Sequence, residues 1–303
     1  MGTEDALRPA GVDRLTQLRA ENYGVPRNTK TVFLVGAGIA EGSWPPVLEA
    51  LREADRENSG QVGKDQEAAN LWFARWVWKR RFGWWFRYNK HSLIKKLEHK
   101  ARRKRERELD KQLADLARED LAIKTLIASK LNAAVEARNL RVRPRFIEIA
   151  SEARWQPYYA VTTNWDRALE PHAQDRENMI WHLHGEAADP KTILLPDESI
   201  QEDYRGEERK YLSDRVNFCW KAIAAASELC IYGLSMSPLD ADLGYIVGAG
   251  LSEHSAERPC TIHIFDLDCQ LPSIERRMRL LLPEHASFPI EKTSVGTCPH
   301  RHH

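Results

Sequence analysis

Polar and glycine residues follow five separate apolar runs of the kind that form buried strands. These positions are Gly36–Gly38, Thr162–Asn164, His182 and His184, Gly233–Ser235, and Asp266. An imidazole exchanges a proton near neutral pH, and an amide both donates and accepts hydrogen bonds. Glycines let a ligand phosphate approach the backbone. These residue types therefore suit a site that binds a phosphorylated ligand and transfers a proton beside it.

Strand-like and helix-like segments alternate along the chain. The strand-like runs are TVFLV at 31–35, YYAVTT, MIWHLHG, TILLP, ELCIYGLS and TIHIFDLD, and helical patterns lie from about Pro46 and near 211–226, 239–251 and 273–282. This alternation predicts an α/β fold, a Rossmann-like and mostly parallel sheet with helices on both faces. Ligands of such sheets bind at the carboxyl ends of the strands, so the polar positions are expected to converge there.

The Gly36-Ala37-Gly38 turn lies between a predicted strand and a predicted helix. A helix N-terminus offers free N–H groups and positive dipole, so this order favours phosphate binding. Glycines in such turns are also typical of close strand–helix packing, and the motif alone does not choose between the two interpretations. In the same way, Asn164, Asp166, Asp240 and Asp242 lie where side chains commonly cap helices.

Length and composition indicate one large interrupted domain. The chain has 303 residues, of which 42% are hydrophobic and 29% charged, and no apolar run approaches the ~20 residues that cross a bilayer. We predict a polar N-terminal segment over 1–29 and a domain over 30–303, interrupted by a helical, basic and Trp-rich insertion at 58–140. We expect no membrane partner.

The insertion contains a strongly basic stretch at 79–107, called here the basic arm. It has 13 Lys and Arg against two acids, and because the whole chain carries +1, the remainder carries −10. Five of the ten tryptophans lie at 72–85. Basic and aromatic residues together can bind nucleic acid. The alternative is a solvated helix face balanced by acidic surface of the same or a neighbouring subunit, which predicts an oligomer.

The five cysteines, at 219, 230, 260, 269 and 298, form no CxxC pair. This pattern is typical of a reducing cytoplasm rather than of a disulfide scaffold. It also excludes a zinc module built from paired CxxC motifs. Ligand-type residues in the C-terminal CPHRHH lie in a terminal tail, so we predict no metal site.

Four segments together resemble the sirtuin family. VGAGIAEGSWP is similar to its first NAD motif, VTTNWDRALE to its T-x-N-x-D motif in the prokaryotic sirtuin-like form, WHLHGEAADP to H-L-H-G-x-x-x-D-P, and IYGLSMSPLDADL to G-x-S-x-S-x-x-D. All four occur in the family's order, each at a predicted strand end. Two positions depart from the pattern, because Ala40 replaces a serine and Glu186 a small residue.

The resemblance implies a role for each matched residue. Asn164 would position the ribose or the attacking water, His184 would be the general base, and Asp166 would orient the site, while His182 would be structural. The NAD-binding residues would be Gly36, Ala37, Gly38, Ile39, Thr162, Thr163, Gly233, Ser235 and Asp266, with Asp266 accepting from the adenosine ribose.

The resemblance also implies an activity. Prokaryotic sirtuin-like proteins without the zinc module are associated with antiviral defence, where a trigger or partner activates NAD hydrolysis. We therefore expect a cytoplasmic NAD glycohydrolase without zinc. It would be an oligomer, with an ATPase or a nuclease-like protein as a candidate partner. An NAD or ADP-ribose sensor that regulates a partner, and a protein deacylase, are the alternatives.

Overall fold

The computed structural model describes residues 30–54, 99–173, 178–195, 206–236, 241–255, 259–283 and 287–298. The predicted N-terminal segment, the tryptophan cluster at 72–85 and residues 79–98 of the basic arm lie outside these ranges. Asp240 and the end of the CPHRHH tail also lie outside them.

Six parallel strands form the main sheet. They are β1 (Thr31–Val35), β4 (Tyr158–Thr162), β5 (Met179–His182), β6 (Glu228–Tyr232), β7 (Thr261–Leu267) and β8 (Ile290–Gly296), and a separate antiparallel pair consists of β2 (Ala40–Glu41) and β3 (Arg141–Val142). The sheet order is β5-β4-β1-β6-β7-β8. Counted along the sheet's own strands this is 3-2-1-4-5-6, the order of dinucleotide-binding sheets, and it reverses direction between β1 and β6.

Helices cover both faces of the sheet. They are α1 (Trp44–Ala54), α2 (His99–Glu136), α3 (Pro144–Ala150), α4 (Gly206–Ala225), α5 (Ala241–Leu251) and α6 (Leu271–Leu281). Phe33 and Val35 of β1 face a core formed with α1, α2 and α3, whereas Val32 and Leu34 face a core formed with α4, α5 and α6. Because β1 is buried on both faces, its sequence is continuously apolar. The predicted α/β, mostly parallel Rossmann-like fold is confirmed.

Two segments near the edges of the sheet differ from the strands predicted from the sequence. The TILLP run is not a strand, because Pro190–Thr192 forms a 3-10 turn and Leu194 N–H donates to the His184 carbonyl at 2.8 Å instead of to a strand. Conversely, β8 was not predicted, since it is an edge strand whose middle residues are exposed and polar. The helix predicted from Pro46 begins at Trp44.

Helix α2 occupies much of the predicted insertion and changes character along its length. Near its start, Arg103, Lys104 and Arg107 are exposed. Further along, its apolar residues are buried in the core with α1: Ile123, Ile127, Ala128 and Leu131. Lys130 Nζ lies 2.6 Å from Glu49 Oε1 and 3.2 Å from Glu53 Oε2 of α1. The second half of α2 therefore forms part of the core.

The cysteines differ in state. Cys219, Cys230 and Cys260 are buried and free, whereas Cys269 and Cys298 form a disulfide with their Cα atoms 6.1 Å apart. One bridge therefore forms where the sequence pattern argued against a disulfide scaffold. It joins the start of α6 to the segment after β8, two places 29 residues apart that the sheet brings together. Across the described ranges, no helix is both long and apolar enough to cross a membrane.

We predict that Ile127→Ala destabilises the protein by about 2–5 kcal/mol, because the side chain is fully buried between α2 and the core. Leu121→Ala on the same helix is the control, since Leu121 is 38% exposed. It should cost less than about 1 kcal/mol. Urea denaturation of both variants measures the difference. Equal losses would show that the second half of α2 does not belong to the core.

Candidate functional site

Strand register aligns the candidate residues at one edge of the sheet. His182 pairs with Thr162, Thr162 with Val35, Val35 with Tyr232, and Tyr232 with Phe265. The residue that follows each of these paired positions therefore lies at one common level, just beyond the paired residues. These positions are Leu183, Thr163, Gly36, Gly233 and Asp266. The structure thus gathers the sequence-predicted residues along the carboxyl edge, on both sides of the reversal between β1 and β6.

The turns after β1 and β6 contact each other through their backbones. Gly38 N–H donates to the Gly233 carbonyl at 2.9 Å, and Gly36 N–H donates to the Tyr232 carbonyl at 3.2 Å. An added Cβ at Gly38 would lie 2.6 Å from Gly233 Cα, and Gly233 has a φ of +57°. Close packing of the two turns is therefore sufficient to explain why these positions are glycine, independently of any contact with a ligand.

The arrangement after the glycines differs from the predicted strand, turn and helix. Ala37–Ile39 form a 3-10 turn and β2 follows, so α1 begins only at Trp44. Helix α1 therefore does not start directly at the glycine turn, and the dipole argument for a phosphate there is weaker than the sequence indicated.

Asn164 lies directly over the glycine turn. Its side-chain Nδ2 donates to the Gly36 carbonyl at 3.3 Å, and its backbone N–H donates to Thr162 Oγ1 at 3.0 Å. Thr163 N–H donates to the Val35 carbonyl at 3.2 Å. Thr162 is fully buried, whereas Thr163 and Asn164 are partly exposed. The TTN segment therefore uses Thr162 to hold the turn and presents the Asn164 amide at the sheet edge.

Because His182 and His184 alternate in sequence, they would lie on the same face of a continuous strand. In the structure His184 lies beyond the strand. Strand β5 ends at His182, and Gly185, with a φ of +87°, turns the chain away. His184 Nε2 lies 2.9 Å from Asp242 Oδ2 in the first turn of α5. Because a carboxylate only accepts, Nε2 carries the proton in this contact and Nδ1 of the neutral ring keeps a lone pair.

Asp242 lies in the first turn of α5, at the helix start where the sequence placed it. Sequence reasoning missed its second contact, because its carboxylate also contacts His184, 58 residues away in sequence. A carboxylate on one imidazole nitrogen sets the tautomer and orientation of the ring, as in hydrolases that use histidine as a base. The only sequence signal was its position after the G-x-S motif.

His182 is buried beneath Asn164 and has two polar partners. Its Nδ1 lies 2.8 Å from the Asn164 carbonyl oxygen, and its Nε2 lies 2.8 Å from Glu170 Oε1. Arg215 of α4, also buried, donates to the His182 carbonyl. Burial lowers the pKa of Arg215 to about 10, which still leaves it charged at neutral pH.

Asp166 is buried, and its carboxylate accepts a hydrogen bond within a turn. Its Oδ1 accepts from the Ala168 N–H at 3.1 Å, and burial raises the pKa of this carboxyl group. Among the described residues that follow, the first helical turn is the 3-10 turn Glu170–His172. Asp166 therefore shapes the loop after Asn164, without the helix that the sequence suggested.

Two arginine side chains donate to carbonyl groups of the turns that follow β1 and β6. Arg143 Nε donates to the Gly38 carbonyl at 2.9 Å, and Arg277 donates to the Ser235 carbonyl at 2.6 Å. Burial raises the pKa of Asp266, and the charge of Arg143 partly opposes this rise. Asp266 Oδ1 accepts from the Leu267 N–H at 2.7 Å. Sequence reasoning missed both arginines because they are far from the motifs they contact.

Two clusters of described residues have the ligand types of a metal site. One is Asp268, Cys269 and Cys298, whose sulfur atoms form the disulfide. The other is Glu170, His182 and Glu186. There Arg167 Nε lies 3.4 Å from Glu170 Oε1 and 3.7 Å from Glu186 Oε2. The positive charge of Arg167 and the contact between His182 and Glu170 already offset the negative charge of the two carboxylates in this cluster.

We predict that Gly38→Ala destabilises the fold, because the added Cβ would collide with the Gly233 backbone. The loss should exceed about 1 kcal/mol, as for other substitutions that force extra atoms into a packed contact. The control is Gly244→Ala inside α5, where the nearest atom to an added Cβ lies at 3.6 Å. That variant should be stabilised by ~0.4–1 kcal/mol. Thermal unfolding compares the two, and an unaffected Gly38→Ala variant would contradict the packing interpretation.

Comparison with known families bears on the same region. Residues 145–270 match the family model of the SIR2-like domain. The match begins in α3, after the glycine turn, and includes Asn164, His184 and Asp266. No curated protein and no solved structure matches the chain. The family match, together with the six-stranded parallel sheet, supports a sirtuin-like family for this protein and an NAD-related function.

Proposed function

We propose that the protein is an NAD glycohydrolase that converts NAD and water to nicotinamide, ADP-ribose and a proton. The observation that carries this proposal is that an amide and an imidazole lie at the same edge of the sheet. The Asn164 amide contacts the Gly36 carbonyl, and His184 contacts Asp242, both at the carboxyl ends of adjacent strands. An amide to orient and an imidazole to accept a proton are what hydrolysis of this bond needs.

The bond between nicotinamide and ribose breaks through an oxocarbenium-like transition state, as in glycoside hydrolysis. The bond's electron pair leaves with nicotinamide, which becomes neutral, and positive charge develops on the ribose. Asn164 would orient a ribose hydroxyl or the attacking water. His184 would take the proton of that water through Nδ1, while Asp242 at Nε2 stabilises the resulting imidazolium. The Asp242 contact thus supports His184 as the base.

The remaining NAD would lie along the reversal between β1 and β6. The turn residues Gly36, Ala37, Gly38 and Ile39 would contact the pyrophosphate, as the resemblance implies. Arg143, whose Nε is held on the Gly38 carbonyl, adds a positive charge beside them. On the far side, Gly233 and Ser235 would contact phosphate or ribose. Asp266 would accept from the adenosine ribose hydroxyls.

The biological setting belongs to the same proposal. The resemblance to zinc-less prokaryotic sirtuin-like proteins supports a role in antiviral defence, with hydrolysis switched on by a trigger or a protein partner. The absence of CxxC pairs in the sequence disfavours a zinc-dependent deacylase. The alternative is an NAD or ADP-ribose sensor in a defence complex.

Incubation of the purified full-length protein with NAD, with and without candidate activators, tests the proposal. Chromatography should detect nicotinamide and ADP-ribose in equal amounts. Calorimetric binding of NAD without any product under all conditions would contradict hydrolysis and favour the sensor. Neither binding nor product would contradict both functions.

We predict that Asn164→Ala and His184→Ala each lower NAD turnover by at least ~10²-fold, the usual cost of losing a general base or a positioning group. Circular dichroism should show that both variants remain folded. Asn178→Ala is the control for Asn164, because its Oδ1 accepts from Tyr158 at the opposite end of β4. His254→Ala is the control for His184, as a buried histidine that contacts Ile223. Turnover near wild type in either site variant would disprove its assignment.

We also propose that the basic arm holds a neighbouring subunit or another partner. Changing Arg102, Arg103, Lys104 and Arg105 to Glu reverses the charge at these four positions and lowers the net charge of the arm from +11 to +3. Light scattering should then show a smaller assembly. Single exposed ion pairs contribute only ~0–1 kcal/mol, so the reversal must be clustered. Exchanging Arg and Lys at the same four positions keeps the charge and is the control.

Nucleic-acid binding is the other outcome that this experiment distinguishes. In that case the assembly should survive the charge reversal, whereas a salt-dependent affinity of the wild type for DNA or RNA should disappear. An unchanged mass together with no nucleic-acid binding by the wild type would disprove both roles of the arm.

A further inference from the structure

A buried histidine–carboxylate pair lies beneath Asn164, and we propose that it positions this residue for the reaction. In this proposal, which rests on the proposed function, His182 acts as an imidazolium that holds the Asn164 backbone, and Glu170 holds the imidazolium. His182 is thus a positioning residue rather than a catalytic one, because both of its ring nitrogens contact protein groups.

The geometry requires one proton in each of the two contacts of the His182 ring. Nδ1 faces the Asn164 carbonyl oxygen at 2.8 Å, and a carbonyl only accepts. Nε2 faces Glu170 Oε1 at 2.8 Å, and an ionised carboxylate also only accepts. A neutral ring carries one proton and could satisfy Asn164 alone, unless Glu170 itself were protonated. The two contacts together therefore define an imidazolium–carboxylate pair.

The charges around the ring support that state. Burial alone would lower the pKa of His182, but the hydrogen bond and charge of Glu170, the Asn164 carbonyl and the charge of Glu186 outweigh it and raise the pKa. Burial would likewise raise the pKa of Glu170, but the His182 contacts and the charge of Arg167 lower it. The carboxyl group of Asp166 also faces this pair, and Arg215 donates to the His182 carbonyl.

Asn164 is consequently held at three points. Its side chain donates to Gly36, its N–H donates to Thr162, and its carbonyl accepts from His182. Of these, only the His182 contact depends on a group that titrates. As the pH rises through the raised pKa of His182, the ring loses its positive charge and one of its two protons. It can then no longer donate to both Glu170 and the Asn164 carbonyl, so the support of Asn164 weakens. Turnover should therefore fall on the alkaline side.

The pH profile of turnover tests this inference. Glu170→Gln keeps an acceptor of the same shape but removes the charge that favours the imidazolium. The alkaline limb should then move to lower pH by at least ~1 unit. The control is Glu228→Gln, because Glu228 Oε2 lies 2.7 Å from Nε2 of the equally buried His263, at the opposite, amino end of the sheet. That variant should leave the limb in place.

Substitutions of His182 provide a second measurement. His182→Ala should lower kcat by about 10- to 100-fold, the cost of a misplaced reacting group, with a smaller change in KM. His182→Gln keeps an uncharged donor, so it should recover part of kcat and show no alkaline limb in the same pH range. An unmoved limb in Glu170→Gln, or a limb retained in His182→Gln, would overturn the inference while leaving NAD hydrolysis intact.

A measurement without turnover separates this inference from the proposed function. Hydrogen exchange of the 163–169 segment should quicken in Glu170→Gln, beyond the intrinsic effect of pH, at pH values where the wild type stays protected. The Glu228→Gln variant should behave like the wild type. If the wild type did not hydrolyse NAD, the proposed function would fail, and unchanged protection of the segment would then overturn the positioning role independently.

Discussion

The backbone contact between Gly38 and Gly233 is the constraint on which the site depends. It joins the ends of β1 and β6, the two strands between which the sheet order reverses, and leaves no room for a side chain. Asn164 is fastened to Gly36 beside it, and Arg143 to Gly38. Groups from well-separated parts of the chain thus reach one edge because two turns pack at backbone distance.

Histidine–carboxylate pairs recur in this structure, and their surroundings decide what each can do. His184–Asp242 is partly exposed at the sheet edge, where a ring nitrogen can meet a substrate. In the His182–Glu170 pair the imidazole ring is more deeply buried and both of its nitrogens are occupied, so it would act through the backbone that it holds. His263 lies between Glu228 and Glu291, toward the amino ends of the sheet strands and away from the candidate site. Its contacts can therefore affect only the stability of the fold. The same pair of groups would therefore serve catalysis and positioning in the proposed reaction, and stability elsewhere in the sheet.

The fold was largely predictable because buried parallel strands are written as continuous apolar runs, as in TVFLV. The failures are at the edges, where TILLP is apolar without being a strand and β8 is a strand without being apolar. The positions of Asn164 and His184 could be predicted because each lies at the end of a strand-like run. Asp242 and Arg143 could not be predicted, since their contacts span 58 and 105 residues and exist only once the sheet has formed.

Helix α2 relates the basic arm to the site physically. Its first residues, 99–107, belong to the arm, and its second half packs on α1, which follows the glycine turn. Near its end, Asn132 Nδ2 donates to the Ala187 carbonyl at 3.1 Å, in the loop directly after His184 and Gly185. One continuous helix thus contacts segments on both sides of the site. A partner that bound residues 99–107 would hold the same helix that packs on α1 and contacts the loop after His184, so its binding and the geometry of the site would share one structural element.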